Sequence, residues 1–434
     1  MNQLLALAKR YDLVVGDKFE MFYTGIIKSL NPYRYNIHID CLKGKAYPRY
    51  YTFTPSLADV GDYELTISLY NDYHELLEQA KTTLHVVEAK KPKRVMNILC
   101  FGDSLTVNGV WPTEAYRRFC VEGGAPLGLG LGECLNMVGE KYNGKVGFTG
   151  FGGWKWSEFC TNDFIGISSA VWIKCKHNLT EHDQESIWTS LDKKWYLETI
   201  EEGRLKFKRG PGNIGCSPNI GATFEHFEGG IHQESIKVES FQYEETNPFW
   251  SEKLQGPSFK EYCHRKGFPD LDYVYILLTW NGQYKPFCTD FSHHEKYIKM
   301  ILDAIHRDYP KCKVGLIGIQ SPSINGGITA NYGCHGFYSD TLGDIYTAFN
   351  YDMYLESLTE AKEYQGFVRY IDMKAQFDVE HSMPSVDTPV NARSSLTEKL
   401  GTNGVHPTME GYLQIADAFF RALVSDMNDE SEES

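Results

Sequence analysis

The sequence predicts an α/β protein built on a parallel sheet, preceded by a β-sandwich and interrupted by a β-rich insertion. Three observations predict this. Short apolar runs alternate with amphipathic helical stretches after about residue 93. Period-two alternation dominates before residue 90, and between about 165 and 256 the strand–helix rhythm stops. A length of 434 residues favours more than one domain.

Residues 1–92 are read as the sandwich. Alternation is visible in Tyr35–Ile39 and in Tyr63–Tyr70, the latter entered from the turn-forming Asp59-Val60-Gly61-Asp62. A further strand, Thr82–Val87, closes the region. Strands at this spacing resemble immunoglobulin-like or fibronectin-like modules. The basic stretch Lys90-Lys91-Pro92-Lys93-Arg94 then reads as an exposed linker.

Residues 93–434 are read as the α/β domain. Val95–Cys100, Tyr273–Leu278, Lys313–Ile319 and Phe367–Ile371 are continuous apolar runs, as strands buried on both faces require. Helical stretches separate them at His294–Asp308, Leu342–Tyr364 and Met409–Leu423. The insertion, about 165–256, is too long for a bare loop and is expected to be a folded subdomain.

Composition bounds the partners. Against 43 Lys and Arg stand 57 Asp and Glu, a formal net charge of −14 that disfavours nucleic acid and anionic membrane surfaces. Part of that charge is the tail Asp429–Glu433, read as a solvated terminus. In Met1–Val15 the basic Lys9 and Arg10 follow the apolar residues, the reverse of a secretory leader, so a soluble chain that is not exported is expected. Eleven Cys without zinc spacing read as reduced and structural. No metal or cofactor is expected; His293-His294 are adjacent on a helix, which cannot put both rings on one face.

The chemistry sits at strand ends. The first α/β strand runs into Phe101-Gly102-Asp103-Ser104-Leu105, which can present the Ser104 hydroxyl outwards, with a following helix aiming its amides at developing negative charge. Near the C-terminus, Asn403-Gly404-Val405-His406-Pro407 precedes the last helix. Gly150-Phe151-Gly152-Gly153-Trp154 and Leu278-Thr279-Trp280-Asn281-Gly282 lie between them. These four blocks, in this order, resemble the GDSL or SGNH hydrolases, and Phe367–Ile415 is similar to GDSL esterases of gut bacteria and their phages.

That resemblance implies a three-layer α/β/α sheet, Ser104 as nucleophile and His406 as base. It implies an oxyanion hole from Gly153 N–H, Asn281 Nδ2 and the Ser104 amide. Two positions depart from the family: Asn403 stands where an Asp is common, and Gly282 where the third block usually has Asp. Asn403 is expected to accept from the imidazole N–H; Asp372 or Asp378 are the alternatives, or Ser and His act as a dyad. Trp154, Trp156 and Trp280 fall beside the site as possible sugar-stacking residues, although most Trp are packing residues. The expected activity is ester hydrolysis through an acyl-enzyme, with an acylated carbohydrate or small ester as substrate, in a cytoplasmic or phage-associated setting. The alternatives are a lipid or thioester hydrolase on the same residues, or a non-catalytic glycan-binding or phage tail module.

Overall fold

Apolar side chains on both faces define the central strands. In the computed structural model, which describes residues 3–162, 170–190, 192–209, 220–243, 247–282, 285–324, 328 and 341–432, Met96–Gly102 is buried throughout except at Asn97. Tyr273–Leu277 is buried at every position. Both belong to one sheet with Lys313–Ile317 and Val368–Ile371, all parallel. The other flank of Met96–Gly102 is covered in two pieces. Leu135–Val138 pairs with Met96–Leu99, and Val146–Gly150 then takes over at Phe101 and Gly102.

Numbered along the chain, these parallel strands stand in the order 2-1-3-4-5. In such a sheet the connections diverge on either side of the first strand. A crevice opens between the carboxyl ends of strands one and three, where ligands bind. Those ends are Gly102 and Leu277, direct neighbours in register. The topology thus fixes where a site forms before any side chain is considered.

Helices Val110–Cys120 and Met409–Glu432 bury Trp111, Ala115, Phe119, Ile415, Phe419 and Leu423 in one cluster with Ile98, Cys100 and Tyr275. The Phe419 ring meets Trp111 edge-on at 4.9 Å and Tyr275 at 4.6 Å. Each such large side chain contributes about 1.5–3 kcal/mol when buried. The last helix runs further than expected. Its end takes in most of the acidic tail, and Glu430 accepts from the Tyr273 hydroxyl at 2.8 Å. Glu430 is therefore held by the fold, whereas Asp429 is exposed.

The first residues form two sheets. One has the order Arg10–Val14, Leu76–Val87, Gly61–Tyr70, Asn36–Asp40; the other joins Phe19–Phe22, Tyr50–Phe53 and Lys45–Ala46. Leu13, Phe19, Met21, Tyr51, Leu65, Ile67 and Leu84 share one apolar cluster. No regular element covers the basic stretch after Val87, but Arg94 grips Asp272 with both terminal nitrogens, at 2.8 and 2.7 Å.

By contacts, Met1–Gly150, Lys266–Glu295 and Tyr309–Ser434 make one compact unit. A second comprises Phe151–Arg265 and Lys296–Asp308. The second contains an antiparallel sheet of seven strands between Ala170 and Tyr243, whose inward face buries Val171, Ile173, Trp188, Trp195, Leu197 and Phe207. No disulfide joins the nine described cysteines, of which only Cys41 is not buried. No helix among the described residues is long and apolar enough to cross a membrane.

Candidate active site

Ser104 follows the first strand in a sharp turn. Thr106 N donates to Asp103 O at 3.0 Å and Val107 N to Ser104 O at 3.3 Å. The turn fits because Gly102 and Gly150 lack side chains. A Cβ on Gly102 would lie 2.1 Å from Leu277 O, and one on Gly150 would lie 2.5 Å from Val107 N. The helix starts only at Val110, after the turn residues Leu105–Gly109. The following helix is present, but turn residues separate it from Ser104.

Across the sequence, 302 positions away, His406 meets this turn. Its Nε2 lies 2.8 Å from Ser104 Oγ. Burial lowers the imidazole pKa below its ordinary value, which keeps the ring neutral and able to accept a proton at neutral pH.

Asn403 is placed differently from expectation. Its Oδ1 accepts from the backbone amides of Val405, at 3.0 Å, and His406, at 2.9 Å. The side chain holds the main chain of the histidine loop and does not accept from the ring. A short Asx side chain reaches amides two and three residues on more readily than a ring farther out. The two alternative acids are engaged elsewhere. Asp372 accepts from the Tyr11 hydroxyl at 2.6 Å and from Ala375 N at 3.1 Å. Asp378 pairs with Arg49 at 2.6 Å. Arg49 also pairs with Glu380 at 2.7 Å and lies 2.9 Å from His381 Nδ1, so this acid–histidine cluster already holds a cation.

Asn281 donates from Nδ2 to Asp103 Oδ2 at 3.2 Å. The following Gly282 has φ 83°, a left-handed conformation that an Asp would adopt less readily. Asp103 was not singled out by sequence. It is fully buried and gathers the Thr279 amide at 2.8 Å, the Thr279 hydroxyl at 2.7 Å and the Leu105 amide at 3.0 Å. Burial pushes its carboxyl up to about 6, although these donors favour the charged form. The Asp in Gly-Asp-Ser was the available signal.

Gln320, beyond the fourth strand, was also missed. Its Nε2 donates to Val405 O at 2.5 Å across 85 positions of sequence. Nothing local in the sequence marks it.

The remaining expected residues divide between the units. Trp280, in the first, is fully buried. In the second, Gly153 has φ 80° within a turn in which Trp154 N donates to Phe151 O at 3.2 Å. Trp154 and Trp156 are 2% exposed, and Trp154 stacks on Phe151 with ring centroids 4.0 Å apart. All three indoles are buried, the packing role most Trp have. His293 is exposed and His294 buried, with ring centroids 3.8 Å apart.

No protein-family model and no curated protein sequence matches the chain. Among solved structures it is similar to one described as "Peptidoglycan O-acetylesterase in action, 5 min", with a TM-score of 0.30 and 12% identity over 77% of this chain and 92% of that one. It is also similar to a possible lipase from Chitinophaga pinensis DSM 2588, with a TM-score of 0.24 and 13% identity over 38% of this chain and 77% of that one. At these scores, the reading of the site rests on its own residues.

Proposed function

We propose that the chain is a serine ester hydrolase of the GDSL/SGNH type. The observation that carries this reading is the 2.8 Å separation of Ser104 Oγ and His406 Nε2 at the switch point of the sheet. A serine hydroxyl is a weak nucleophile until an adjacent base takes its proton. Here the base is a neutral imidazole within hydrogen-bond reach.

In the proposed reaction Ser104 Oγ attacks the ester carbonyl as His406 Nε2 takes the hydroxyl proton. The tetrahedral oxyanion is met by the Ser104 amide and Asn281 Nδ2, each worth on the order of 3 kcal/mol to the transition state. Collapse expels the alcohol, which receives the proton from His406. Water then attacks the acyl-enzyme with His406 again as base, releasing acid and restoring Ser104. Asp103 Oδ2 accepts one hydrogen bond from Asn281 Nδ2 and so sets the orientation of the amide.

The finer reading is that the acyl group is small, such as acetyl, and the alcohol a carbohydrate. It is supported by an aromatic content of 14% and by the lack of a long apolar lipid-binding segment in the sequence. Buried Trp154, Trp156 and Trp280 lend it no stacking surface.

The test is hydrolysis of p-nitrophenyl acetate by wild type and S104A, with fluorophosphonate labelling of Ser104. Wild-type turnover that is lost in S104A supports the reading, and an S104A enzyme of undiminished rate sinks it. A p-nitrophenyl ester series separates the substrates: rates falling with chain length favour small acyl groups, and rates rising favour a lipid. Acetate released from acetylated polysaccharides would then identify the glycan.

A further inference from the structure

His406 is held through one peptide unit. The Val405–His406 peptide has two polar ends, the carbonyl of Val405 and the N–H of His406. Gln320 Nε2 donates to the first at 2.5 Å, and Asn403 Oδ1 accepts from the second at 2.9 Å. A trans peptide is planar, and its carbonyl and N–H point in opposite directions. Gripping both ends therefore blocks rotation of the plane and fixes the direction in which the histidine side chain leaves the backbone.

The two grips differ in reach. Asn403 belongs to the same loop and would move with it. Gln320 belongs to the sheet. It follows the fourth strand, where Gly318 N donates to Ile371 O at 3.0 Å and Ile319 N to buried Asp352 Oδ1 at 2.9 Å. The side chain itself is fully buried. It thus ties a loop to the same parallel sheet whose first strand carries Ser104.

We infer that Gln320 is a positioning residue for the base: by holding the Val405 carbonyl it fixes the Val405–His406 peptide against the sheet and aims the imidazole at Ser104. The inference rests on the Ser104–His406 reading above. A side chain that only fills space would be replaceable by Met, which has similar length and no donor. A side chain that positions through donation would not.

Two variants separate these cases, with S104A and H406A as controls and each variant's fold checked by thermal unfolding. Q320M is expected to lose roughly 10- to 100-fold in kcat with little change in KM, because small misplacement of a catalytic group costs on that order. In Q320E the introduced carboxyl donates to the Val405 carbonyl only when protonated. The ratio of Q320E to wild-type kcat is therefore expected to rise as pH falls, while the Q320M ratio stays flat. Should Q320M fail to fold, the pH response of Q320E decides alone.

A Q320M enzyme with wild-type kcat, or a Q320E ratio independent of pH, overturns the inference. If S104A or H406A keeps wild-type activity, or wild type neither turns over ester nor labels at Ser104, the Ser–His reading falls and this inference with it. Inactive controls beside an unimpaired Q320M overturn the role of Gln320 alone.

Discussion

The two edges of the parallel sheet handle buried charge in opposite ways. At the amino edge, Arg369 at the start of the fifth strand lies between Asp12 and Asp426, donating to Asp426 at 2.7 Å, and Tyr275 donates to the same Asp426 at 2.7 Å. Burial opposes ionisation of Asp12, but Arg369 and Arg10 outweigh it and hold the carboxyl below its ordinary value. The cavity of about 330 Å³ at this edge is lined by such mutually paired side chains. At the carboxyl edge, Asp103 is buried among neutral donors, and His406 is neutral beside a hydroxyl. Compensated charge serves stability; an uncompensated buried carboxyl raised to about 6 and an imidazole kept neutral by burial are what a reactive site uses.

Removing the base should be the most damaging change for activity. H406A is expected to lower kcat by at least about a thousandfold while leaving stability nearly unchanged. Stopped assays of ester hydrolysis beside urea titrations would check both. A stability loss as large as the activity loss would erase the contrast between edges.

R369A attacks the other edge. Leaving Asp12 and Asp426 without their shared cation is expected to cost about 3–5 kcal/mol in stability. Below the unfolding transition its kcat should stay within about twofold of wild type. Chemical denaturation and steady-state kinetics measure the two separately.

D103N sharpens the comparison through pH. In the proposed reaction His406 must be neutral and Asp103 ionised, so the acid limb of kcat should carry two protonations, that of Asp103 near pH 6 and that of His406 below its ordinary value. D103N is expected to lose roughly 10- to 100-fold, because Asn281 is no longer aimed, and to leave a one-proton limb. Stability should show opposite signs at the two edges. Asp103, raised to about 6, binds its proton more tightly when folded, so its contribution is lost as pH rises from about 4 through 6. Asp12 is lowered, so its contribution is present above the ordinary carboxylate value and is lost as pH falls through its depressed one. Urea midpoints across pH should lose the first component in D103N and keep the second.

The smallest effect should come from the helical tail. E430A removes the nearer of the two acceptors of the Tyr273 hydroxyl, leaving the Asp426 carbonyl, and is expected to cost about 0.5–1.5 kcal/mol without altering kcat. Thermal unfolding detects it.

What the sequence made legible follows from the range of the interactions involved. Met96–Gly102 and Tyr273–Leu277 could be read because a strand buried on both faces must be apolar at nearly every position. Ser104 and His406 were readable because each sits in a local pattern tied to a chain turn. Asn403 was named but given the wrong acceptance, since an Asx oxygen can reach a ring or a backbone amide and only the loop conformation decides. The burial of Trp280 depends on what packs over it, which no local window contains. Gln320 was invisible for the same reason: its partner lies 85 positions away and is a backbone carbonyl, which has no residue identity to match.

The 302 positions between serine and histidine also have a consequence for the chain as it is made. If Ser104 and His406 act as proposed, a polypeptide emerging from the ribosome carries its alcohol long before the imidazole that would arouse it has been synthesised. The hydroxyl therefore stays latent through most of translation.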